Sequence, residues 1–121
     1  MNKLDALLKQ IRENPETVEF EDVIDVIDSS YQYTAVRFTN GPVDGPLAEY
    51  IINNAGENEG SCKIFSFAEK HALDKAETLN CFGRYYRDDV LNHPDNNNHA
   101  NIRAFIKYGW HHVCFDKQAL T

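Results

Sequence analysis

The sequence predicts an α+β fold, a single helix-rich domain with a small β-sheet, and three observations carry that prediction. Apolar residues recur at helical spacing in several separate stretches. Residues 33–38 alternate as a strand does, and the turn chemistry of Thr39-Asn40-Gly41 stops them. No internal repeat divides the 121 residues, so residues 1–121 read as one domain. A chain of this length buries roughly 65% of its unfolded surface and needs neither a metal nor disulfides to fold. Its 42% hydrophobic and 12% aromatic content supplies the core.

Leu4, Leu7, Leu8 and Ile11 mark a short amphipathic helix. It ends before Asn14-Pro15, because proline disfavours helix in the residue ahead of it. Thr17–Phe20 suits a brief strand. Phe20, Val23, Ile24, Ile27 and Tyr31 then share one face of a second helix, with Glu21, Asp22, Asp25 and Asp28 on the solvated face. After the strand Tyr33–Phe38, Pro42 and Gly45-Pro46 keep the backbone irregular. Leu47–Ile52 fits strand or helix, and Asn53–Gly60 is a polar loop.

The densest apolar periodicity runs from Gly60 to Leu91, as two helical patterns, Ser61–Ala72 and Lys75–Leu91, hinged at Leu73-Asp74. Ser61 is expected to cap the first, which buries Ile64, Phe65, Ala68 and Ala72. Asp74 and Glu77 have the spacing of a capping box. Leu79, Phe82, Gly83, Tyr86 and Val90 fall on one face of the second helix. Gly83 there would admit another backbone, at a cost of about 1 kcal/mol in helix propensity. Residues 93–98 form a loop by composition. Ile102, Phe105 and Ile106 mark a last short helix stopped by Gly109, and Trp110–Phe115 reads as a closing strand.

The net charge of −7 is unevenly placed. Residues 1–60 hold four Lys/Arg against twelve Asp/Glu, a balance of −8, while residues 61–121 hold eight against seven. Nucleic-acid binding rests on clustered positive charge, which this acidic chain lacks. No apolar run approaches the roughly 18 residues of a membrane span, and Met1–Asp5 lacks a signal peptide's apolar core. Cys62, Cys81 and Cys114 form no C-x-x-C, and an odd, sparse set points to buried thiols in a reducing compartment, a cytoplasm.

Two strings are distinctive: Gly60-Ser61-Cys62-Lys63-Ile64-Phe65-Ser66-Phe67-Ala68 and Cys81-Phe82-Gly83-Arg84-Tyr85-Tyr86-Arg87. With His93-Pro94, His99, Asn101-Ile102-Arg103, Phe105 and Gly109-Trp110, they resemble the HopJ type III effector family over residues 17–115. The resemblance brings no catalytic residues with it, and its name implies secretion through a type III apparatus. Exported effectors lead with a Ser-rich, unstructured segment, whereas Lys3–Ile11 is already helical in pattern here. The expectation is therefore residence in the bacterial cytoplasm.

Several motifs carry possible chemistry. Gly56 to Lys63 superficially resembles a phosphate loop, but a P-loop places lysine directly after its second glycine, and Lys63 comes three after Gly60. Asp95-Asn96-Asn97-Asn98 starts like a calcium loop, yet Ala100 and Ile106 stand where glycine and glutamate are required. Adjacent His111 and His112 on a strand would point to opposite faces, so no metal is expected. Cys62 in a helix's first turn is either a lowered-pKa nucleophile, with His93, His99, His111 or His112 as base, or inert packing.

Arg84, Arg87 and Arg103 either make structural ion pairs or offer guanidinium forks to a carboxylate or phosphate. The expected binding set is Cys62, Lys63, Arg84, Arg87, His99 and Arg103, with no cofactor and no catalytic residue assigned. Two functions follow: a non-catalytic protein that binds a partner protein, or a binder of (or enzyme acting on) a small anionic ligand, with a pocket near Cys62, Arg84, Arg87 and His99. A pocket of about 300 Å³ or more onto which these groups converge would favour the second.

Overall fold

A computed structural model describes residues 2–121. Five α-helices of the described residues are α1 (Lys3–Glu13), α2 (Phe20–Ser30), α3 (Glu59–Lys70), α4 (Lys75–Asn80) and α5 (Ala100–Tyr108). Three short strands, β1 (Phe38–Asn40), β2 (Ile51–Asn53) and β3 (Val113–Phe115), form an antiparallel sheet in the order β2-β1-β3. Phe38 stands opposite both Asn53 and Phe115, and its ring stacks on Phe115 at 5.3 Å. The fold is α+β, as the periodicities predict.

Phe65 of α3 is the hub of the core. Its ring lies 5.4 Å from Phe82, 5.0 Å from Phe105, 6.0 Å from Trp110 and 6.2 Å from Phe38, so one side chain joins the hinge region, α5 and the sheet. Phe38, Phe65, Phe67 and Phe105 are fully buried, each worth about 1.5–3 kcal/mol of transfer free energy. The two segments hinged at Asp74 therefore do carry the core. Their junction is held by the capping box, in which Asp74 accepts from Glu77 N and Glu77 accepts from Asp74 N.

Seven local expectations change. Thr17–Phe20 is not a strand: Pro15–Thr17 forms a 3₁₀ turn, which the fixed φ of Pro15 favours, and α2 begins at Phe20. Strand pairing of Tyr33–Phe38 starts only at Phe38 and runs on through Thr39 and Asn40, while Tyr33 makes a lone bridge to Leu120. Leu47–Ile52 is both a 3₁₀ turn (Leu47–Glu49) and the start of β2. Ser61 does not cap α3, which starts two residues earlier at Glu59 and stops at Lys70; Ala72 is exposed with φ +53°. Trp110–His112 belong to a 3₁₀ turn (Gly109–His112), leaving only residues 113–115 in the closing strand. Cys114 is exposed, in contrast to buried Cys62 and Cys81.

The seventh change matters most. Lys75–Leu91 is not one helix: α4 ends at Asn80, Gly83 takes φ +58°, and Tyr85–Val90 form a π-helical segment. A Cβ on Gly83 would stand 2.7 Å from Phe20 N, so glycine is required both for the left-handed turn and for close contact with the start of α2. The close approach was legible in the sequence; the break was not.

Candidate functional site

The first turns of α3 and α5 line one cleft of about 330 Å³. Gly60 and Ser61 come from α3, and Ala100, Asn101 and Ile102 from α5. Phe20, Phe82 and Tyr85 supply aromatic surface. Gly60 allows that packing, since a Cβ there would lie 2.8 Å from the Phe20 ring.

Both helices begin in the same unusual way. Asn58 and His99 precede them with φ of 49° and 54°, and neither gives its helix a side-chain cap. The first-turn N–H groups of both helices thus have no capping side chain as acceptor.

A cluster of buried amides holds the two turns together. Asn40 Nδ2 donates to Asn101 O at 2.8 Å, Asn53 Nδ2 donates to Asn101 Oδ1 at 3.1 Å, and Asn101 Nδ2 donates to Asn53 Oδ1 at 2.8 Å. Asn58 Nδ2 donates to the same Asn53 oxygen at 2.7 Å. The cluster fastens β1, β2, α5 and the approach to α3, and its shared hydrogen bonds offset most of the cost of burying these amides, with Asn40 Oδ1 left without a partner among the described residues. Asn101, 5% exposed, spends Oδ1 on two donors and one Nδ2 hydrogen on Asn53.

His99 forms a wall of the cleft. Its Nε2 lies 3.0 Å from Asp89 Oδ2, and its ring is 5.2 Å from that of Tyr85. The Tyr85 hydroxyl accepts from Arg84 Nη2 at 3.1 Å, with the guanidinium over the Tyr85 ring. Arg84 is in turn held by Glu21 at 2.7 Å, a hydrogen bond that keeps the Glu21 carboxyl below its ordinary pKa. Glu21, Arg84 and Tyr85 on one side, and Asp89 and His99 on the other, form two polar links that meet at the Tyr85–His99 ring contact behind one side of the cleft.

Of the residues expected from the sequence, His99 alone lines this cleft, and Arg84 reaches it only through Tyr85. Arg87 donates to the carbonyls of Pro15, Val18 and Asn80 and to Asn80 Oδ1, tying α4 and the π segment to the entry of α2. Arg103 donates to Asn98 O at 2.6 Å, Asn98 Oδ1 at 2.8 Å and Pro94 O at 3.4 Å, which pins the loop before α5. Lys63 pairs with Asp28 at 2.8 Å and lies over the Tyr33 ring. Cys62 is 1% exposed, and burial raises its thiol pKa, the opposite of what a nucleophile at a helix start requires.

The histidines other than His99 have other surroundings. His111 and His112 follow each other in the 3₁₀ turn, and among the described residues no three His, Cys, Asp or Glu side chains cluster as a metal site would. His71, absent from the expected set, shares a hydrogen bond with the Tyr31 hydroxyl, linking the C-terminal ends of α2 and α3. Desolvation, then Lys70 and Arg12, lower its pKa.

Sequence reasoning also missed Asn58, Tyr85 and Asn101 as site residues. The one available signal was Asn58 before a helix, asparagine being tolerant of positive φ. Two clefts of similar size, about 360 and 310 Å³, offer less. The former is lined by Glu69, Lys70 and Lys117 on exposed positions, and in the latter Glu49 is already paired with Lys107 and Tyr108.

No helix among the described residues is long and apolar enough to cross a membrane. No curated protein matches the chain. The chain is similar to the crystal structure of VPA0580, a protein of unknown function, with 47% identity, a TM-score of 0.90, and coverage of 100% of this chain and 93% of that one. The profile of the HopJ type III effector protein family matches residues 4–120, which includes α1 as well as both distinctive strings. The chain belongs to the HopJ type III effector protein family.

Proposed function

We propose that this effector-like protein acts by binding, and that its ligand or partner group seats in the cleft between the first turns of α3 and α5. One observation carries the reading: within a cleft of about 330 Å³, an aromatic surface meets polar groups that the fold has not used. Pockets that recognise ligands combine apolar lining with a few convergent polar groups. The side chains first expected to do chemistry are instead engaged in holding the fold, Arg87 and Arg103 on backbone carbonyls and Cys62 within the core.

We also infer residence in a reducing compartment, the bacterial cytoplasm before any export. Three free cysteines support it, one of them exposed.

The test is a thermal-shift screen of chemically mixed fragments against the protein and against Ala100→Trp. Ala100 is exposed and lines the cleft, so the larger side chain fills it without disturbing the core. Fragments that stabilise the native protein and lose their effect in Ala100→Trp are expected. No stabilising fragment, or effects that survive the substitution, would contradict the reading.

A further inference from the structure

We propose that the cleft takes a neutral one-ring aromatic molecule carrying a hydroxyl group, and that this hydroxyl donates its hydrogen to Nδ1 of His99. The inference rests on the binding role just proposed and names the ligand class and the atom that recognises it.

The Asp89–His99 contact decides which ring nitrogen is free. An ionised carboxylate only accepts, so with Nε2 3.0 Å from Asp89 Oδ2 the hydrogen of the neutral imidazole belongs on Nε2. Nδ1 is then a bare acceptor, and among the described residues nothing donates to it. His99 lines the cleft while Asp89 does not, and the Tyr85 ring, 5.2 Å away, packs on the imidazole as well. An acceptor held by two neighbours loses little freedom when a ligand arrives.

The rest of the lining asks for the same head group. Asn58 spends Nδ2 on Asn53 and leaves Oδ1 without a donor among the described residues. Asn101 has its oxygen and one Nδ2 hydrogen committed to the amide cluster. Two residues of one cleft therefore hold free acceptors, and a ligand lacking an O–H or N–H hydrogen satisfies neither. A hydroxyl suits better than a ring N–H, because its oxygen also accepts, for example from the Ser61 hydroxyl.

Charge narrows the class. No Lys, Arg, Asp or Glu side chain lines the cleft, so a charged group entering it gives up water without gaining a counter-ion. The first turn of α3 moreover contains Glu59, which opposes an anion. Phe20, Phe82 and Ile102 offer contact to an aromatic body. The volume is at the lower end of the roughly 300–1,000 Å³ typical of ligand sites, which suits one ring.

Calorimetric titration of the full chain with phenol, anisole and benzoate tests the class. Anisole keeps the ring and the oxygen and loses only the hydrogen to be donated. Phenol is expected to bind with a Kd on the order of 1 mM, and anisole and benzoate at least about fivefold more weakly. A second readout needs no altered affinity: in long-range ¹H–¹⁵N spectra the Nδ1 resonance of His99 should move upfield with phenol and far less with anisole. His99→Asn identifies that resonance by its loss, since asparagine tolerates the φ of +54°.

Equal binding of phenol and anisole, or an Nδ1 resonance that phenol does not move, would overturn the inference while leaving the cleft as a binding site. Benzoate binding more tightly than phenol would overturn the neutral class. Absence of phenol binding up to about 10 mM would overturn the inference too, while the mixed-fragment screen judges the cleft separately.

Discussion

The hinge around Gly83 and the cleft between α3 and α5 make opposite use of their polar groups. At the hinge, the most recognisable string in the chain is used up by folding. Gly83 turns the backbone at φ +58° against Phe20, and Arg87 donates to three carbonyls from two other segments. At the cleft, unremarkable residues such as Ser61, Ala100 and Asn101 surround donors that the fold leaves free. A distinctive string identifies the family; what is left unpaired marks a site.

That contrast predicts large stability effects at the hinge and small ones at the cleft. Gly83→Ala should be the most damaging, by about 3 kcal/mol or more, because a methyl group must fit where only 2.7 Å separates it from Phe20 N and must accept a left-handed φ. Chemical denaturation measures it, and a loss under about 1 kcal/mol would show that the turn can relax. Arg87→Ala should cost about 2–3 kcal/mol by stranding carbonyls of Pro15, Val18 and Asn80, with Arg87→Lys recovering only part, since an ammonium cannot reproduce the fork.

A smaller effect comes from His71, which lies at neither region. Its pKa in the fold is lowered by desolvation and by Lys70 and Arg12, so the unfolded chain takes up its proton first. Stability should be complete above about pH 7 and fall as the pH drops through about 6.5, the unfolded value. His71→Gln should flatten the profile between about pH 7.5 and 5.5, above the range in which carboxylates such as Glu21 and Glu49 titrate. An unchanged slope would rule His71 out as its source. The smallest change is expected at the cleft, where Ser61→Asp should alter stability by less than about 1 kcal/mol, in the stabilising direction.

The sequence made the scaffold legible wherever the cause was local. Apolar spacing marked α1 and α2, the Asp74–Glu77 box marked the start of α4, and Gly109 marked the end of α5. What it hid depends on distant partners. Asn40, Asn53 and Asn101 read as turn, loop and helix-start residues, yet they are buried where their amides hydrogen-bond to one another across 48 and 61 positions of chain. Gly83 was legible as a point of close approach but not as the end of a helix, because the backbone that demands it belongs to residues 19 and 20. His99 was found by its chemistry, whereas Asn101 and Tyr85 emerged only once α5 and the π segment were brought side by side.

The most direct measurement is to titrate a fragment that stabilises the native protein in the screen into ¹⁵N-labelled protein and map which backbone amides respond. The account predicts saturable shifts concentrated at Gly60, Ser61, Ala100 and Asn101, with the amides of residues 83–87 far less affected. Shifts centred on Arg84 and Arg87, or scattered without saturation, would contradict it.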